Sequence, residues 1–165
     1  MASGFFDRPL PTYASYHRDA RNRPTHFVGI PLIVFSLFVP LAWIRFEIGG
    51  VEAGAGLAVG LATLALWIAL DRTIGLAMIV VLAPMWYAGE RIALGADAAV
   101  GWIVFAVCFV GGWVFQLVGH VYEGRRPALA DNLFQALIGP MFLMAEILVW
   151  LGLRRPESLA GHAPN

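Results

Sequence analysis

Five apolar runs separated by short polar breaks set the pattern of this chain. They cover about Phe27–Ile44, Ala53–Leu70, Thr73–Ala88, Ala98–Val118 and Leu133–Leu153. A helix that crosses a bilayer needs roughly 20 apolar residues, with a range of about 17–25. The fourth and fifth runs meet that length easily; the third is shorter and carries Pro84. The pattern predicts an all-α, polytopic membrane fold of about five transmembrane helices. Only Asp71-Arg72 parts the second run from the third, so these two should form a tight helical hairpin. Gly56 and Gly60 make a small-xxx-small pair, a helix-packing face or a chance product of an Ala/Gly-rich helix. Pro40, Pro84 and Pro140 should kink their helices.

Polar residues flank the bundle. A head, residues 1–26, precedes it, and a tail, residues 154–165, follows the bundle of residues 27–153. The part of the head from Pro11 to Asn22 reads as a short interfacial helix. Pro24 should end it, because proline disfavours helical geometry in the residue before it. The head has no apolar core of its own, so no cleavable signal peptide is expected and the first span should act as the targeting signal.

Composition supports the membrane class. The 165 residues are 59% hydrophobic and 13% charged, with a mean hydropathy of +0.73. That is too little charge to clothe a water-soluble domain. The net charge of zero argues against nucleic acid as a partner. Cys108 stands alone, which excludes a disulfide within the chain. Every basic residue is arginine, which with the many alanines and glycines points to a GC-rich bacterial genome and so to the inner membrane; the endoplasmic reticulum would be the eukaryotic equivalent. Arginines 8, 18, 21, 23, 72, 125 and 126 fall on one side of a five-span topology, which favours a cytoplasmic head. Trp43, Trp86, Trp102 and Trp150 fall near the opposite interface.

The chemistry gathers at one end. Gln116, His120 and Glu123 are spaced i, i+4 and i+7, which puts them on one helix face. His26 opens the first span and His120 closes the fourth, so three crossings bring them to the same side. His17, in the head, joins them if the chain bends between His17 and His26, since nine helical steps of about 100° point them apart. On the residues alone two readings stay open: amphipathic rings at an interface, or ligands of one metal ion. Imidazoles with a carboxylate suit ferrous iron, with zinc as runner-up. Glu146 lies eleven residues after Gln135 and about 20 Å along the helix from its start, at ~1.5 Å per residue. That depth predicts a structural role, with Arg45 or Arg91 as partner.

Two blocks carry a resemblance. Tyr16-His17-x4-Asn22-x3-His26 leads into the first span. Gln116-x2-Gly119-His120-x2-Glu123-x3-Pro127-Ala128-Leu129-x-Asp131-Asn132-x2-Gln135 leads into the fifth. Together they resemble a membrane 2-hydroxy fatty acid dioxygenase family, formerly a domain of unknown function, whose yeast member acts in phytosphingosine breakdown. The likeness covers about residues 11–153. It implies an iron(II)-dependent dioxygenase of fatty-acid α-oxidation that takes a 2-hydroxy fatty acid and O2 to a fatty acid one carbon shorter, with His17, His26 and His120 as the essential histidines. Asn22, Glu123, Asp131 and Asn132 also fit the family's pattern. Around such a site Arg125, Arg126, Gln116 and Tyr16 are candidates to meet the substrate head. The acyl tail would lie among the spans, beside membrane lipids; homo-oligomerisation stays open. A di-metal desaturase would need about eight histidines, more than this chain has. A haem carrier would hold its histidines mid-span. A scaffold, a transporter subunit or another metal-dependent lipid-modifying enzyme remain as alternatives.

Overall fold

The computed structural model describes residues 21–95, 97–124 and 134–155. Five helices appear among them: α1 (Asn22–Trp43), α2 (Ala55–Leu70), α3 (Arg72–Gly95), α4 (Ala98–Glu123) and α5 (Phe134–Trp150), with a hairpin of β1 (Arg45–Ile48) and β2 (Val51–Gly54) between α1 and α2. The fold is all-α apart from that hairpin. The prolines at 31, 40, 84 and 140 all lie inside helices. The expected interfacial helix of the head and the tail beyond residue 155 lie outside the described residues.

Three helices, α1, α3 and α4, are long and apolar enough to cross a membrane; α2 and α5 are shorter. Ile103, Val107, Val110, Val114, Leu117 and Val121 of α4 are all exposed, at helical spacing. Such a stripe belongs in lipid, and the chain is a membrane protein. The span lengths differ from the sequence expectation. The helix in the third run extends through Glu90 to Gly95, giving 24 residues. The fifth run stops at 17 residues because Gly152 adopts φ +70. There Gly152 N–H donates to the Val149 carbonyl and Leu153 N–H to the Leu148 carbonyl, a Schellman ending that leaves the last apolar residues outside the helix.

The chain forms two compact units, Val28–Phe115 and the pairing of Met1–Phe27 with Gln116–Asn165. In the first unit, Gly49 and Gly50 at φ +61 and +83 close the hairpin. Both central residues of such a turn need positive φ, which glycine adopts without strain. The register pairs Arg45 with Gly54 and Ile48 with Val51. The expected α2–α3 hairpin forms at Asp71. Its backbone N–H donates to the Trp67 carbonyl, and its Oδ1 accepts from Ile74 N–H at 3.0 Å. One residue thus ends α2 and caps α3. The helices then pack so closely that a methyl at Gly75 would overlap the Ile68 backbone. Gly56 and Gly60 are buried, and each faces the Phe38 ring of α1. The small-xxx-small pair therefore makes room for an aromatic side chain. Gly112 of α4 faces Gly29 and Ile33 of α1, and Gly101 faces Trp43, so α1 and α4 run antiparallel here. Val39, Ala42 and Ala93 form a core ringed by Trp43, Ile92, Val104 and Phe105. Arg45 pairs with Glu90 and reaches Glu52 at 4.0 Å, so it is not the partner of Glu146.

The second unit joins the first turns of α1, the end of α4 and α5. α4 stays helical through the polar stretch Gln116–Glu123 and ends where Gly124 takes φ +65. Ile138, Met141 and Ala145 of α5 are fully buried. Phe27 stacks on Trp150 with ring centroids 5.2 Å apart, and Arg23 Nε lies 3.5 Å from Glu146 Oε1. Both contacts correct the sequence reading. Trp150 lies beside Phe27, one residue from His26, whereas Trp43 is the last residue of α1. Glu146 is held by Arg23, in the first turn of the helix that carries His26, so it is not remote from the histidines. Hydropathy marks an apolar run but not its direction or its partners.

Candidate functional site

Asn22, Arg23, Thr25 and His26 all fall in the first turns of α1. Pro24 among them suits a helix start, because its missing N–H is one that has no helical acceptor there. Asn22 and His26, four residues apart, share a face. Thr25 Oγ1 donates to the Asn22 carbonyl at 2.6 Å, and His26 Nδ1 lies 3.1 Å from the same oxygen. A carbonyl only accepts, so Nδ1–H is the donor. In the neutral ring this leaves the lone pair on Nε2. One ring nitrogen is thus tied to a backbone carbonyl, the arrangement that metal-binding histidines commonly use to fix tautomer and ring orientation.

Gly119 brings the second histidine in. A methyl on Gly119 would overlap Asn22 Oδ1 and Thr25 Oγ1 and sit 3.0 Å from His26 Nδ1. Only a hydrogen at this position lets the end of α4 close onto the start of α1. His120, the next residue, then meets His26 with ring centroids 5.0 Å apart and planes at 80°. Both rings are buried, at 2% and 7% exposure. Edge-to-face ring packing spans this separation. It also fits a shared ion: two imidazoles bonded at ~2.1 Å and about 90–110° apart would hold their centres about 4.5–5.2 Å apart.

Gln116, one turn before His120, is buried and its Nε2 has no hydrogen-bond partner among the described residues. Arg21 sits 4.8 Å over the Tyr122 ring and joins the same two helix ends at the surface. Of the sequence candidates, the structure thus brings together Asn22, His26 and His120, with Gln116 on the same helix face. His17, Tyr16, Arg125, Arg126, Asp131 and Asn132 lie outside the described residues, as does the side chain of Glu123. Among the described residues no three His, Cys, Asp or Glu side chains gather. Gly119, Thr25 and Arg23 are not among the candidates the sequence offers. The signals were present: a glycine directly before the histidine that ends a span, and Asn22-x2-Thr25-His26 spaced i, i+3, i+4.

Comparison with known proteins gives these residues a context. No solved structure matches the chain. The 2-hydroxy-palmitic acid dioxygenase MPO1 of Saccharomyces cerevisiae is 31% identical over 156 residues, covering 92% of this chain and 86% of the yeast protein. A family model described as 2-hydroxy-palmitic acid dioxygenase Mpo1-like matches residues 4–150, a span that includes both histidine-bearing helix ends. The chain therefore belongs to the Mpo1-like family.

Proposed function

We propose that this protein is an iron(II)-dependent dioxygenase that shortens 2-hydroxy fatty acids by one carbon, working at the cytoplasmic face of a bacterial inner membrane. The observation that carries the proposal is the buried His26–His120 pair at the meeting of α1 and α4. Membership of the Mpo1-like family supports the substrate class. Nitrogen donors with oxygen ligands suit ferrous iron, and zinc is the substitute the same donors would accept.

In this reading His26, through Nε2, and His120 hold the metal with His17 as third ligand. When bound, iron supplies the redox chemistry with O2, and the protein supplies binding and orientation. The Asn22 carbonyl fixes the His26 tautomer and ring position. Since it already takes the His26 N–H, the carboxylates of Glu123 and Asp131 and the amide of Asn132 are left to orient His17 and His120. Arg125 and Arg126 attract the substrate carboxylate at the membrane surface. Tyr16 and the Gln116 amide contact its head, and the acyl chain extends among apolar helices. Burial of the two rings keeps bulk water from the reacting groups.

The test is turnover of 2-hydroxypalmitate by purified protein reconstituted with Fe(II) under anaerobic conditions. Adding O2 should yield a fatty acid one carbon shorter, with none formed without O2 or without iron. Absence of chain shortening in iron-loaded protein would overturn the proposal.

A further inference from the structure

We propose that Glu146 is a substrate-contacting residue, whose inner oxygen accepts a hydrogen bond from the hydroxyl of a bound 2-hydroxy acid. The inference rests on the substrate class proposed above. Its starting point is a carboxylate in an apolar helix, 4% exposed. Oε1 is matched by Arg23, whose own side chain is half exposed. Oε2 is buried and has no hydrogen-bond partner among the described residues. A buried carboxylate oxygen without a donor is costly, and such groups in membrane helices mark function.

Its place in the unit gives the donor an identity. Residues 22 and 26 of α1 face Gly119 and His120 of α4. Residues 23 and 27, one step of about 100° further round, meet Glu146 and Trp150 of α5. The first turns of α1 are thus flanked by the histidine pair on one face and by Glu146 on the next. A carboxylate can only accept. An ionised 2-hydroxy acid carries a single O–H, its 2-hydroxyl, so that group is the one part of the substrate head Glu146 can bind. Arg23 offsets the repulsion between the two carboxylates. A site built this way distinguishes a 2-hydroxy acid from the plain fatty acids that fill the membrane, because the plain acid would leave Oε2 unmatched.

The test compares binding of 2-hydroxypalmitate and palmitate to full-length, metal-loaded protein in detergent, read by displacement of a fluorescent fatty acid, with melting temperature and metal content measured on the same samples. Wild type should prefer the hydroxy acid. Glu146→Leu should shrink that preference on the order of 10- to 100-fold, keep its metal, and melt no lower than wild type, since a buried charge has been replaced by an apolar group of similar size. Glu146→Gln, the smaller change, should narrow the preference in the same direction and guards against a leucine variant that does not fold. An undiminished preference in both variants would overturn the inference. So would parallel loss of both ligands, melting temperature and metal, which marks a structural carboxylate or a metal ligand. No preference in wild type would instead overturn the substrate class on which the inference rests.

Discussion

Replacing Gly119 by alanine adds one methyl at the closest approach of α1 and α4. That methyl overlaps Asn22 Oδ1 and Thr25 Oγ1 and lies 3.0 Å from His26 Nδ1. Neither oxygen has an easy exit. Asn22 is fully buried, and turning Thr25 away breaks its bond to the Asn22 carbonyl. The helix ends must part by roughly 1 Å, or the Asn22–Thr25–His26 bonds must rearrange; overpacking of this kind costs about 1–3 kcal/mol. Alanine also raises helix propensity by about 1 kcal/mol over glycine. The net change in stability is then only about 0–2 kcal/mol, too small to be the diagnostic readout. Position is diagnostic instead, because metal–ligand distances tolerate about ±0.2 Å. Gly119→Ala should lower Fe(II) affinity and turnover by about 10- to 100-fold, measured by anaerobic titration and the 2-hydroxypalmitate assay. Gly111→Ala is the control: it lies on the same helix, and a methyl there meets nothing within 4 Å. If Gly119→Ala matched Gly111→Ala within twofold in both assays, the close approach at residue 119 would have no part in the site.

Two further substitutions test the frame. Asp71→Ala removes the acceptor for Ile74 N–H and should cost about 0.5–2 kcal/mol, read as a lower melting temperature in detergent with iron stoichiometry unchanged. Gly75→Val drives a branched side chain into the Ile68 backbone and should cost about 1–3 kcal/mol or more, with protease sensitivity appearing at the α2–α3 turn.

The parts of this fold that local chemistry dictates were legible in the sequence. A two-residue polar break leaves room only for a helical hairpin, and Asp71 makes it by ending one helix and capping the next. On a helix the i, i+4 spacing of Gln116 and His120 puts them on one face, and α4 is helical through both; the counting of crossings puts His26 and His120 at one end, and the rings do meet. What depends on packing was not legible. Fifth-run hydropathy is the same whichever element it meets, so depth along the run alone sets Glu146 far from the histidines, whereas Arg23 holds it. The run extends past the helix end, because a left-handed glycine at 152 outweighs the two leucines that flank it. Hydropathy shows the Arg45–Gly54 hairpin only as a break between spans, although Gly49-Gly50 is a strong turn signal. Gly119 stood in the quoted motif, but a glycine's role depends on what lies across from it.

The most direct test of the central claim is metal stoichiometry. Purified full-length protein is loaded anaerobically with Fe(II), passed over a desalting column and analysed for iron per chain, in wild type and in His17→Ala, His26→Ala and His120→Ala. One iron per wild-type chain, lost in each of the three variants while their melting temperatures stay within a few degrees of wild type, is the expected result. Full iron retention by the His26→Ala and His120→Ala variants, or no iron in wild type, would contradict the claim that these imidazoles share one ion.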